Sequence, residues 1–126
     1  MAAKILVVDD QDSVRDFLSE CLCSMGYETF AASDAHEALE IYHDKSGEIA
    51  LVITDMTMPE ISGIELAVKL YESDQNVRII LATGYDTSTI TAMPPSIIGI
   101  MAKPYSVPDL FAVVEKALQP IPSNLA

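Results

Sequence analysis

Short apolar runs punctuate the chain at Ile5 to Val8, Leu51 to Thr54, Val77 to Ala82 and Ile97 to Ala102, and each predicts a buried strand. Between them the period changes. Val14, Phe17, Leu18, Cys21, Leu22 and Met25 fall at helical spacing over residues 12–25, which predicts an amphipathic helix burying that stripe and stopping at Gly26. Tyr27 to Ala32 alternates apolar and polar positions, the pattern of an edge strand. Asp34 and Glu37 then offer a capping box to a second helix carrying Ala38, Leu39 and Tyr42. Met56 to Glu60 reads as a loop, followed by a third helix capped by Ser62 and Glu65 and stapled by Ile61 to Leu66. From Thr83 to Ile97 the β-branched residues Thr87, Thr89, Ile90 and Thr91 and the pair Pro94-Pro95 leave room for a short fourth helix at most. The last helix opens at Ser106 with Asp109 three residues on, tolerates Pro108 in its first turn, and predicts a buried stripe of Val107, Leu110, Phe111, Val114 and Ala117.

Strands alternating with helices imply an α/β fold, a parallel sheet with helices packed on both faces in a repeated β-α order. Because crossovers between parallel strands are right-handed, the carboxyl ends of the strands line one edge of the sheet, and in open α/β sheets that edge takes the ligand. Residues 1–118 form a single domain on this reading, and 119–126, with Pro120 and Pro122, a frayed tail or linker.

What stands at that edge is unusual. Asp9 and Asp10 end the first run, Asp55 ends the second, Thr83 the third and Lys103 the fourth. An ionised carboxylate is costly to desolvate unless it is paired, so acids gathered at the mouth of an apolar core point to a cation or a reacting group. Two adjacent acids and a distant one supply only oxygen, which suits Mg²⁺ and allows Mn²⁺. His36 and His43 lie in the helical stretch rather than at a strand end, which argues against zinc. A metal, the Lys103 ammonium and the Thr83 hydroxyl can share the charge of a transferring phosphoryl group, leaving a carboxylate as nucleophile; such attack gives an acyl phosphate.

Composition narrows the partners. The formal net charge is -12 over 126 residues, with no concentration of Lys or Arg, which argues against direct binding to nucleic acid or anionic membrane. Although half the residues are hydrophobic, no apolar run approaches the ~20 needed to span a bilayer. Met1-Ala2-Ala3-Lys4 leads directly into a strand rather than a signal sequence, so a cytoplasmic location is expected. Cys21 and Cys23, two apart on a helix, face different directions and are expected as reduced thiols.

Taken in order, the Asp9-Asp10 pair, Asp55 with Met58-Pro59 and Gly63, Thr83-Gly84 and Lys103-Pro104 resemble the receiver domain of two-component response regulators, over residues 4–118. The resemblance implies the flavodoxin-like strand order 2-1-3-4-5. It implies Asp55 as phosphoacceptor from the phosphohistidine of a sensor histidine kinase or histidine phosphotransfer protein, with signalling onward to an output partner or fused output domain. By the same resemblance Asp10 binds the metal directly and Asp9 largely through water; Asp55 lies at the same ion and the Thr57 carbonyl is a further ligand. Thr83 and Lys103 contact the phosphoryl group, the Lys103-Pro104 bond is cis, and Thr57 and Tyr85 hold positions that tune dephosphorylation. Where the family often carries an aromatic switch, three residues before the Lys, this chain has Ile100; Tyr105 stands just after Lys103-Pro104. Such a receiver is a phosphoacceptor rather than an enzyme. Asp10-Gln11-Asp12 also fits the Asp-x-Asp of a small haloacid-dehalogenase-type phosphatase, with Asp10 as nucleophile and Asp12 as acid, and a phosphorylation-independent docking module is the other alternative.

Overall fold

The computed structural model describes residues 3–45, 47–58, 60–84, 94–103 and 105–118. Their order is β1 (Lys4–Val8), α1 (Asp12–Ser24), β2 (Glu28–Ala32), α2 (Ala35–Asp44), β3 (Ile49–Asp55), α3 (Gly63–Ser73), β4 (Ile79–Thr83), β5 (Ile97–Ala102) and α4 (Val107–Leu118). All strands pair in parallel, in the order β2-β1-β3-β4-β5. The short helix expected after Thr83 and the tail 119–126 fall on or beyond residues 85–93 and 119–126, outside the described residues, as do Tyr85 and Pro104.

The pleat divides the core into two halves. Leu6 and Val8 of β1, Val52 of β3 and Ile79 of β4 face α2 and α3, where Ala38, Tyr42, Leu66, Ala67 and Leu70 complete one cluster. Ile5, Val7, Leu51, Ile53, Ile80 and Ala82 face α1 and α4, packing on Leu18, Leu22, Leu110 and Val114. The result is a three-layer doubly wound domain. Its central strands are buried on both faces, which explains why their sequences are unbroken apolar runs.

Local chemistry fixes the helix ends. Gly26 takes a φ of 97° past the end of α1, a left-handed conformation that favours glycine. Asp34 accepts from the Glu37 amide at 2.8 Å, and Glu37 answers at the Ser33 amide, one residue earlier than a strict capping box. Ser62 caps α3 through the Glu65 amide at 3.2 Å. Ser106 and Asp109 bond each other's amides reciprocally ahead of α4. Ser96 is buried, and its hydroxyl donates 3.0 Å to the Ala67 carbonyl, fastening the approach to β5 onto α3.

Three members of the expected helical stripes are not core residues: Phe17 on α1 and Val107 and Phe111 on α4 are all more than 40 % exposed. Each lies at the margin of its stripe, beyond the arc that a flat sheet can cover. The apolar run Ile97 to Ala102 forms the other edge strand, with Ile98 and Ile100 exposed.

Candidate functional site

Backbone pairing carries the chemistry beyond the strands. Asp9 follows β1 and donates its amide to Ala32 of β2 at 3.2 Å. Asp55 is the last residue of β3, and the next amide, of Met56, reaches Ala82 of β4 at 2.8 Å. Thr83 ends β4, and its carbonyl accepts the Lys103 amide at 2.8 Å. Asp9, Asp55, Thr83 and Lys103 are thus brought to one edge by four neighbouring strands, with Asp10 on the turn above.

One carboxylate oxygen from each of Asp9, Asp10 and Asp55 lies within 4.8 Å of the other two. Asp9 and Asp55 are buried and Asp10 is exposed, so the cluster opens to solvent on one side. Lys103 Nζ donates to Asp55 Oδ1 at 2.9 Å and stands 3.9 Å from Asp9 Oδ2. Burial raises the Asp9 carboxyl above its ordinary value; the charges of Asp55 and Asp10 push the same way, against the Gln11 amide, which donates to Asp9 Oδ1 at 2.9 Å, and Lys103. Lys103 pairs with two of the three carboxylates, Asp55 and Asp9, which leaves negative charge uncompensated, and an oxygen-only donor set open to water suits a hard divalent cation.

The loop after β3 is held from both sides. Met58 is buried in the α2/α3 half of the core, while Thr57 is exposed two residues beyond Asp55. Gly63 donates to the Met56 carbonyl at 2.9 Å. A Cβ on Gly63 would overlap the Asp55 carbonyl oxygen and come within 2.9 Å of Leu81 Cδ1, so glycine is required there by space. Thr54, wholly buried, donates its hydroxyl to the same Asp55 carbonyl at 3.0 Å. Glu60 adopts a φ of 68° and its carboxylate lies 3.3 Å from His36 Nε2.

Other candidates stand apart. Asp12 is exposed and pairs with Arg15, outside the carboxylate cluster where the phosphatase assignment would need it as the acid. His36 and His43 are exposed on α2. Tyr105 is half-buried against the α1/α4 half of the core; burial pushes its phenol up to about 12, with the charges of Asp9, Asp55 and Cys21 adding to the effect. Ile100 points to solvent on β5, and Cys21 and Cys23 are free thiols. Sequence reasoning missed Arg15, whose guanidinium reaches back to the Asp9 carbonyl at 2.7 Å; the only signal was its i, i+3 spacing from Asp12.

The family model of the response regulator receiver domain matches residues 5–115. The chain belongs to this family. Receivers are phosphoacceptor signalling modules of two-component systems, for which Mg²⁺ and aspartyl phosphate are general features. The receiver is 33 % identical to sporulation initiation phosphotransferase F of Bacillus subtilis, over 98 % of this chain and 99 % of that one. It is 32 % identical to the sensor kinase CckA of Brucella abortus, covering 94 % of this chain but 13 % of the kinase. Among solved structures it resembles the response regulator TrrA of Thermotoga maritima, determined with Mg²⁺ and BeF, at a TM-score of 0.83 and 34 % identity over 92 % of this chain and 99 % of that one. Among the described residues, no helix is long and apolar enough to cross a membrane.

Proposed function

We propose that this receiver accepts a phosphoryl group on Asp55 from a phosphohistidine of a sensor histidine kinase or histidine phosphotransfer protein. The observation that carries the reading is the position of Asp55: its carboxylate shares the 4.8 Å cluster with Asp9 and Asp10 while accepting from Lys103 at 2.9 Å. Of the three carboxylates Asp55 makes the direct hydrogen bond to Lys103 while lying in the cluster that would hold the cation, so both sources of positive charge that phosphoryl transfer needs fall within its reach.

An Asp55 carboxylate oxygen attacks phosphorus, the bond from phosphorus to the histidine nitrogen breaks, and that nitrogen keeps the electron pair and takes a proton. Asp9, Asp10, Asp55 and the Thr57 carbonyl would hold Mg²⁺, and the same oxygen set would accept Mn²⁺. The ion, when bound, neutralises part of the charge on the carboxylates and the arriving phosphoryl oxygens. Lys103 pairs with a second share as a point charge, and the Thr83 hydroxyl donates to a third oxygen. The burial of Asp9 and Asp55 excludes water from one side of the new bond.

On this reading the domain is a phosphoacceptor rather than a catalyst of turnover, it occupies residues 1–118, and it acts in the cytoplasm on an output partner or a fused output domain, with no direct contact to nucleic acid or membrane. Support for the histidine-linked donor comes from relatives that include a phosphotransferase and a sensor kinase.

Incubation with a small phosphodonor and Mg²⁺, borohydride trapping of the acyl phosphate and peptide mass spectrometry locate the modified residue. Label on Asp55, absent from Asp55→Asn, is the expected result. Label on Asp10, or turnover of phosphate esters that depends on Asp12, would overturn it.

A further inference from the structure

The turn from β1 into α1 carries both Asp9 and Asp10, yet Gln11, the residue capping α1, makes no side-chain capping bond. Asp9 is held by its amide to Ala32 and by its Oδ1, which accepts from the Gln11 amide. The second contact closes an Asx turn around the Asp9-Asp10 peptide but leaves the carbonyl oxygen of that peptide to a further partner. That peptide is planar, so a bond to the Asp9 carbonyl oxygen completes the fixing of its plane. Arg15, one turn into α1, donates Nη1 to this oxygen at 2.7 Å, and its other arm, Nη2, pairs with Asp12. The Arg15 side chain is only 17 % exposed, whereas Asp12 is 86 % exposed, so the buried arm of the guanidinium is the one committed to the turn.

We infer that Arg15 is a positioning residue for the metal site: it locks the Asp9-Asp10 peptide plane and so holds both carboxylates in the arrangement that binds a divalent cation. The inference rests on the metal reading proposed above. Its physical content is a sign. By charge alone, a cation beside an acidic cluster opposes a second cation, and removing it should tighten Mg²⁺ binding. By geometry, removing the fork frees the Asp9 carbonyl, leaves the Asp10 peptide to the Asx turn alone and should weaken binding, as loss of a group that orients a metal-ligating carboxylate generally does. Lysine retains the charge but lacks the planar fork that holds the Asp9 carbonyl and the Asp12 carboxylate at once.

Isothermal titration of the whole protein with MgCl₂ separates the two. For Arg15→Ala the Mg²⁺ dissociation constant is expected to rise on the order of tenfold. Arg15→Lys should lose affinity in the same direction, and the phosphorylation rate of both variants should recover at saturating Mg²⁺. Melting without metal reports folding separately; if Arg15→Ala is not folded, Arg15→Lys carries the comparison. Affinity equal to or tighter than wild type in a folded variant, or full rescue by lysine, would overturn the positioning role. Absence of Mg²⁺ binding in the wild type would overturn the metal reading and this inference with it.

Discussion

The α-carbon of Gly63 lies against the carbonyl oxygen of Asp55, closing the loop that separates the end of β3 from the start of α3. Leu81 Cδ1 can swing aside, but the Asp55 oxygen and the Met56 α-carbon are backbone and cannot yield without moving the loop. Gly63→Ala should therefore cost about 1–3 kcal/mol, the usual penalty of overpacking a tight site. Because the displaced atom belongs to Asp55, the variant should also respond less to Mg²⁺. Thermal melts with and without metal test both effects; a wild-type response in Gly63→Ala would show that the loop relaxes without disturbing the site.

Removing Lys103 takes away the ammonium that bridges Asp55 and Asp9. Lys103→Ala should melt lower than wild type in EDTA, and its gain in Tm on adding Mg²⁺ should exceed that of wild type, because more repulsion remains for the ion to relieve. The phosphorylation response should be impaired while metal binding persists. An equal or smaller Mg²⁺ increment in the variant would contradict the bridging role.

Asp9 gives a pH dependence whose sign follows from its raised carboxyl. The folded state keeps a proton that the unfolded chain has released at its ordinary 3.8, so this contribution is present below that value and lost as pH rises through the folded one. In EDTA, Asp9→Asn should be more stable than wild type at neutral pH, with the gap closing as pH falls toward 3.8. Tm against pH for the two proteins measures it. A gap that is constant with pH would assign the effect to packing.

Tyr105 should ionise late. With its phenol at about 12 rather than 10.0, its contribution to stability is full below 10.0 and disappears as pH climbs toward 12. Tyrosinate absorbance during an alkaline titration should lose a high-pH component in Tyr105→Phe. Loss of a component near 10 instead would place this ring in water.

The edge chemistry was legible because two rules leave little freedom: buried parallel strands read as apolar runs, and right-handed crossovers bring their ends together. Asp9, Asp55, Thr83 and Lys103 follow directly from those rules. Exposure was less legible. Phe17, Val107 and Phe111 satisfy helical spacing as well as Leu18 and Leu110 do, but periodicity does not encode how wide a stripe the sheet covers. Ile98 and Ile100 belong to a run as apolar as β4, and only the strand order places them at an edge. The reach of Arg15 to Asp9 depends on turn geometry between two elements, which spacing alone does not report.

Ladder hydrogen bonds continue one step past the strands, from Asp9 to Ala32, from Met56 to Ala82 and from Lys103 to Thr83. Asp9, Asp55 and Lys103 therefore hang from the sheet's own ladder, and among the described residues the one helix side chain that reaches this framework is Arg15 of α1. Exposed helix residues that touch neither the ladder nor Arg15 can be exchanged without shifting a carboxylate, which leaves the outer surface free to diverge while the phosphate chemistry stays constant.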